Sequence, residues 1–291
     1  MVITTQQRSI DQTSAISRAS LTEQYQRIRA FSEALARPLV TEDYVIQSMP
    51  DVSPTKWHLA HVSWFFETFV LGPNVPGYAS LNPRYTYLFN SYYEAVGPRH
   101  CRPRRGLVSR PTVEDTYRYR AYVDNHMLRL LEQTDDTQLG RLAPLITLGL
   151  HHEQQHQELL LTDIKHVFWS NPLRPAYVER AAGASSSIPP LSWRTYPEGV
   201  QWIGYAGDAF AFDNELPRHR QFLQPFRLAS RLVTNAEYLA FMEDGGYSRP
   251  NLWLSAGWAT VQDQGWTAPL YWEQRDGQWW SMTLDGRHAR G

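Results

Sequence analysis

Residues 148–166 read LGLHHEQQHQELLLTDIKH and hold four of the ten histidines of the chain, His151, His152, His156 and His166. The stretch lies between Pro144, a residue suited to the first turn of a helix, and the break at Asn171-Pro172, so one helix of about six or seven turns is expected. On that helix His152 and His156 are i,i+4 neighbours, with Leu145, Leu148, Leu159 and Asp163 on or near the same stripe, which is expected to face inward. Two imidazoles one turn apart among leucines must either find hydrogen bonds that offset their burial or hold a metal ion. Facing helices of a bundle are where such metal sites are built, which favours the metal.

A length of 291 residues predicts two domains. A net charge of -1 gives no electrostatic case for nucleic acid or an anionic membrane, and the basic run Arg102, Arg104, Arg105, Arg110 is local. Cys101 is the only cysteine, so no internal disulfide can form, as in a reducing cytoplasm. The opening MVITTQQRSIDQTSAIS lacks the apolar core of a signal peptide, and no run approaches the roughly 18 apolar residues of a membrane span. A soluble cytoplasmic protein is expected.

Ahead of the histidine-rich stretch, a polar lead-in gives way to Ser20-Leu-Thr-Glu23, a capping box, and Tyr25, Ile28, Phe31 and Leu35 follow at helical spacing to Pro38. Ser53-Pro54 opens a second helix, PTKWHLAHVSWFFETFVLG, with Trp57, His61, Trp64 and Thr68 on one stripe and His58 about 60° to the side. From Gly72 to Pro111 periodicity disappears in a proline-, glycine- and tyrosine-rich segment too long for an idle connector. Thr112 caps a third helix to about Glu132, and the histidine-rich helix is the fourth: a four-helix bundle with a crossover after its second helix. A polar stretch with Gly183, Ser185, Ser186, Ser187, Pro189 and Pro190 reads as a linker. Beyond it, strand-length aromatic runs (VQWIGY, AFAFDNELP, HRQFLQPFRLAS, GQWWSMTLDG) surround one helix over AEYLAFMED, an irregular α+β domain. The domains are placed at residues 1–178 and 190–291.

Neutral imidazole suits iron, zinc, copper or nickel, and three histidines from two helices leave coordination positions open. His61, His152 and His156 are the three that helical geometry selects. His151 is about 100° around from His152 and Glu158 about 200° around from His156, so neither is expected to ligate. His152-Glu-Gln-Gln-His156 also spells HExxH, a zinc-protease signature, but the third histidine lies upstream on a separate helix, whereas such proteases place it downstream. Gln155 sits beside His152 on the wheel, where its amide could reach a bound ligand.

Three motifs, SPTKWHLAHVSWFFE, LFNSYYEAVGPRH with RPRR after it, and HHEQQHQELLLTDIKH, resemble in order and spacing the DinB-like domain of the ergothioneine-biosynthesis sulfoxide synthases (EgtB). WIGYAGDAFAFDNELPRH and RLVTNAEYLAFMEDGGYSRPNLWLSAGW resemble the formylglycine-generating-enzyme-like, C-type-lectin-related domain that follows in that family. The resemblance implies a non-haem iron(II) enzyme that uses O2 to join the sulfur of cysteine or γ-glutamylcysteine to the imidazole of hercynine as a sulfoxide. It puts His61, His152 and His156 on the iron-ligand positions, Gln155 on the substrate imidazole, Arg102 and Arg105 on the thiol substrate's carboxylate, and Tyr92 and Tyr93 on the proton-donating tyrosine pair. It further implies that the second domain stops short of the family's full length. The expectation is then a shortened enzyme, a subunit completed by a partner chain, or an inactive metal-binding remnant. Ovothiol-type or selenoneine-type synthesis on the same scaffold is the neighbouring alternative.

Overall fold

The computed structural model describes residues 17–180 and 187–290. The lead-in before Ser17 and the linker residues Gly183, Ser185 and Ser186 lie outside them. Two units are distinguished: Met1–Val167 with Asp208–Phe210, and Phe168–Gly207 with Ala211–Gly291.

In the first unit, α1 (Arg18–Ala36) starts at Ser17, whose hydroxyl accepts the Ser20 N–H at 3.2 Å. The helix therefore begins before the expected Ser20 box, because a serine one turn earlier already satisfies an orphan amide. Its buried face is Leu21, Tyr25, Ile28, Arg29, Ser32 and Ala36, while Phe31, expected inside, is 53% exposed. α2 (Thr55–Phe66) is buried on every side, and the chain continues through a π-helical turn, Glu67–Leu71, into the short α3 (Gly72–Asn74). The segment to Pro111 is less irregular than its composition suggests, carrying α4 (Tyr85–Phe89) and 3-10 turns at Glu94–Val96 and Arg102–Leu107. α5 (Val113–Gln133) opens with a reciprocal Thr112/Asp115 capping box, both bonds 3.0 Å. α2 packs against α1, α4 and α5.

α6 (Asp136–Ser170) is 35 residues long and runs straight past Pro144, which was expected at its start. The carbonyl that Pro144 leaves without a helical donor is that of Gly140, an exposed residue, while Leu139, Leu142, Ala143 and Ile146 are buried around it. Packing outweighs one lost hydrogen bond. The inward face also differs from the expected stripe. Ile146, Leu150, Glu153, Gln157, Leu160 and Ile164 are buried at alternating four- and three-residue spacing, whereas Leu148 and Leu159 are 38% and 43% exposed. His152 and His156 each precede a seam residue by one position, about 100° around, so they sit at the edge of the seam and not at its centre.

Glu153 ties the bundle together. It meets Arg29 of α1 at 3.0 Å and Arg120 of α5 at 3.2 Å and accepts the Ser32 hydroxyl at 2.6 Å. Arg29 also reaches the Ser63 hydroxyl of α2 at 2.8 Å. Burial alone would raise the Glu153 carboxyl, but the two guanidiniums outweigh it and hold the pKa below the ordinary value. Gly149 lets α6 approach α2, since a Cβ there would lie 2.6 Å from the Phe66 ring and 2.8 Å from that of Phe65.

The second unit holds three antiparallel pieces of sheet: β1 (Trp193–Tyr196) with β4 (Phe226–Ala229), β2 (Gly199–Ile203) with β3 (His219–Leu223), and β5 (Trp272–Arg275), β6 (Gln278–Thr283) and β7 (Gly286–Arg290) in that order. α7 (Asn235–Glu243) is capped by Thr234 as its sequence predicts. AFAFDNELP, read as a strand, instead carries a 3-10 turn at Asp213–Glu215. A second helix, α8 (Ser255–Gln264), was not anticipated: it has no side-chain N-cap bond to announce it, and only the left-handed Gly265 marks its end.

Candidate metal centre

His61 is clamped by its own helix. Trp57, one turn before it, stacks at 4.6 Å between centroids and 12° between planes, and Trp64, three residues on, at 5.4 Å and 16°. Its Nδ1 lies 2.6 Å from the carbonyl oxygen of Phe89, at the end of α4. A carbonyl only accepts, so Nδ1 carries the hydrogen and a neutral His61 presents a bare Nε2. That Nε2 is 3.2 Å from Nε2 of His152.

His156 completes the triangle, with ring centroids at 4.9 Å for His61 to His152, 4.6 Å for His61 to His156 and 4.7 Å for His152 to His156. One nitrogen from each ring lies within 4.8 Å of the other two. The group fits a metal ion. Two nitrogens each about 2.1 Å from one ion, at octahedral to tetrahedral angles, would stand about 3.0 to 3.4 Å apart, a range that includes the observed His61–His152 separation. The other ring nitrogen of His152, Nδ1, is buried with no hydrogen-bond partner among the described residues.

The electrostatics keep the three rings in the ligating form. Burial, then the neighbouring His152, puts His61 well below the ordinary imidazole range, burial brings His152 down to about 4, and burial followed by His61 and His58 lowers His156 far as well. All three are neutral at pH 7.

The HExxH reading fails on geometry. Glu153 is fully buried between two arginines and cannot serve as a general base for a metal-bound water. Glu158 and Gln155 are both exposed. His151 stacks on Phe210, centroids 4.0 Å apart, within the first unit. His126 Nδ1 bonds the Tyr122 carbonyl at 2.8 Å and is not part of the histidine group.

Arg105 is buried with its guanidinium carbon 3.3 Å from the centroid of Trp57, the indole that also stacks on His61. It donates to the Ser53 hydroxyl at 2.9 Å and to that of Ser91 at 3.5 Å, and among the described residues its Nε has no partner and no carboxylate pairs with it. Burial and the positive charges of Arg102 and Arg99 bring its pKa down to about 9, so it remains a cation at neutral pH. Arg102 donates to the Asp51 carbonyl and the Tyr92 hydroxyl, and its Nε has no partner among the described residues. Tyr92 is 66% exposed, with Arg99 over its ring. Tyr93 packs instead on Trp64 and Phe65, the rings beside His61 and His152, and burial raises its phenol pKa. Sequence reasoning missed Glu153, Arg29, Arg120 and the Phe89 carbonyl. The seam spacing of Glu153 and the i,i+4 step from Tyr25 to Arg29 were the available signals.

The sequence pattern of the DinB superfamily matches residues 24–160, and that of the sulfatase-modifying factor enzyme 1-like domain matches residues 196–289. The chain thus joins a DinB-like helical region to a domain of the second kind. It is 31% identical over 239 residues to a hercynine oxygenase of Mycolicibacterium thermoresistibile, covering 77% of this chain and 48% of that protein. Against the hercynine oxygenases of Mycolicibacterium smegmatis and Mycobacterium tuberculosis the identities are 29% and 28%, covering 78% and 77% of this chain and 51% and 50% of theirs. The chain spans about half the length of the curated relatives it matches.

Proposed function

We propose that the His61–His152–His156 triangle holds an iron(II) ion and that the chain carries the catalytic centre of an O2-dependent synthase joining a small thiol, cysteine or γ-glutamylcysteine, to the imidazole of hercynine as a sulfoxide. The observation that carries this reading is the convergence of three neutral imidazoles on one point of the DinB-like region, and its likeness to hercynine oxygenases supports the choice of substrate. The overall change balances without an external reductant: sulfur loses its hydrogen and the imidazole carbon loses its own, one oxygen atom goes to sulfur, and the other leaves as water. Iron would supply a redox-active centre whose remaining positions are open to substrates.

The chain's own residues supply the rest. Arg105 and Arg102 hold the carboxylate of the thiol substrate. A buried guanidinium without an acid partner leaves desolvation uncompensated until an anion arrives, and its fork matches a carboxylate. Stacking on Trp57 fixes the Arg105 plane relative to His61. Tyr93, half-buried against Trp64 and Phe65 beside the triangle, and not the exposed Tyr92, is assigned as proton donor. Gln155, exposed beside His152 on α6, is assigned to the imidazole of hercynine.

The test is turnover. The purified chain, loaded with Fe(II) under anaerobic conditions and then given hercynine, cysteine and O2, should yield the sulfoxide conjugate by mass spectrometry, and Tyr93→Phe should divert O2 toward oxidation of the thiol alone. Stoichiometric iron with thiol-driven O2 consumption that ignores hercynine would overturn the assignment.

A further inference from the structure

Next to the triangle, α2 and α6 hold a second pair of side chains that touch no expected substrate group. His58 lies one turn before Val62 on the fully buried α2, with only 4% of its side chain exposed. Its Nε2 is 2.9 Å from Oδ2 of Asp163, and its Nδ1 is 2.9 Å from Nδ1 of His156. The same Oδ2 accepts the Ser53 backbone N–H at 2.8 Å, ahead of α2.

Taking His58 as neutral, the hydrogens along this chain follow from what each atom can do. An ionised carboxylate only accepts, so a neutral His58 keeps its hydrogen on Nε2 and offers Nδ1 as an acceptor. The hydrogen between the two Nδ1 atoms then belongs to His156. With Nδ1–H committed to His58, the Nε2 of His156 is bare. If His58 instead carried its hydrogen on Nδ1, it would donate to His156, whose own hydrogen would move to Nε2 and block that nitrogen as a ligand.

We infer that Asp163 and His58 are positioning residues that set the tautomer and ring orientation of His156, so that Nε2 is the nitrogen it presents to a metal ion. The inference rests on the triangle being a metal centre. It gives two of the three rings different supports, a backbone carbonyl for His61 and a His–Asp relay for His156, while Nδ1 of His152 has no partner among the described residues. Only the relay is made of side chains, and because Asp163 also holds the Ser53 backbone N–H, His58 is the member that can be changed with the main chain's hydrogen bonds left in place. Partners of this kind are conventionally worth about 10- to 100-fold in metal affinity.

Two measurements on the full chain test it. In the unmutated, metal-free protein at neutral pH, long-range proton–nitrogen correlation of 15N-labelled histidine should place the hydrogen on Nε2 of His58 and on Nδ1 of His156. A hydrogen on Nε2 of His156 overturns the relay, and this result needs no variant to fold. Anaerobic Fe(II) titration should then show His58→Phe and Asp163→Ala binding about 10- to 100-fold more weakly than the unmutated chain, with His61→Ala losing binding altogether. If the unmutated chain binds no iron, or His61→Ala binds it equally well, the metal centre itself is wrong. If His61→Ala loses iron while folded His58→Phe and Asp163→Ala retain full affinity, the metal centre stands and the relay is wrong.

Discussion

The two units treat their aromatic residues in opposite ways. In the first, Trp57, Trp64 and Phe65 are buried and each lies against a histidine of the triangle. In the second, Trp193, Trp202 and Trp266 are 59%, 57% and 49% exposed, and beyond α6 only Val261 and Met282 are buried apolar side chains among the described residues. The difference lies in the elements. A helix packed on every side gives each ring a fixed neighbour at i,i+3 or i,i+4, whereas two-stranded ribbons leave both faces of a strand open unless another layer covers them. Chemistry that needs imidazoles held to a few tenths of an ångström is therefore expected in the first unit, and exposed aromatic surface is the property of the second.

The largest contrast should come from charge. Glu153→Ala strands two buried arginines and should destabilise the first unit by about 3–5 kcal/mol in denaturant unfolding. Asp244→Ala, which breaks the exposed pair with Arg249, should change stability by no more than about 0.5 kcal/mol. Equal effects would mean that the buried network does not organise the bundle. Next in size is packing along α6. Gly149→Ala pushes a methyl against Phe66 and Phe65 and should cost about 1–3 kcal/mol, while Gly140→Ala, facing open space, should be neutral or stabilising by up to about 1 kcal/mol.

A pH effect follows from the histidines. The folded-state pKa of His152 is depressed to about 4, so between the ordinary imidazole value and about 4 the unfolded chain binds the extra proton and the folded chain does not. Stability contributed by the neutral ring is full above about 6.5 and is lost as pH falls toward about 4. His61 and His156, depressed in the same direction, add to the slope. Unfolding midpoints measured from pH 7 down to 4.5 should fall, and a flat profile would show the rings to be solvated. The smallest effect belongs to the second unit: Trp202→Ser should leave iron binding unchanged while reducing the fluorescence of a dye that binds apolar surface.

Much of the first unit was legible because helix caps and spacing are local. Thr112 marked α5, and the pairing of His61 with His152 and His156 needed only the 3.6-residue period and two facing helices. What stayed hidden depended on partners far away in sequence. Arg29 and Glu153 are 124 residues apart, and nothing local to either announces a buried ion pair. The same holds for Phe89, whose carbonyl fixes the His61 tautomer from a segment with no helical period of its own. Pro144 misled because the burial of Leu142 and Ile146 carries α6 past it. In the second unit, α8 was missed for lack of an N-cap side chain, and AFAFDNELP alternates like a strand although Asp213–Glu215 turns it.

X-ray absorption of the iron-loaded chain tests the central claim most directly. One iron per chain is expected, with imidazole nitrogens from His61, His152 and His156 in its shell, and loss of that site in His61→Ala and in His152→Ala. Full iron content in either variant, or a shell containing the sulfur of Cys101, would contradict it.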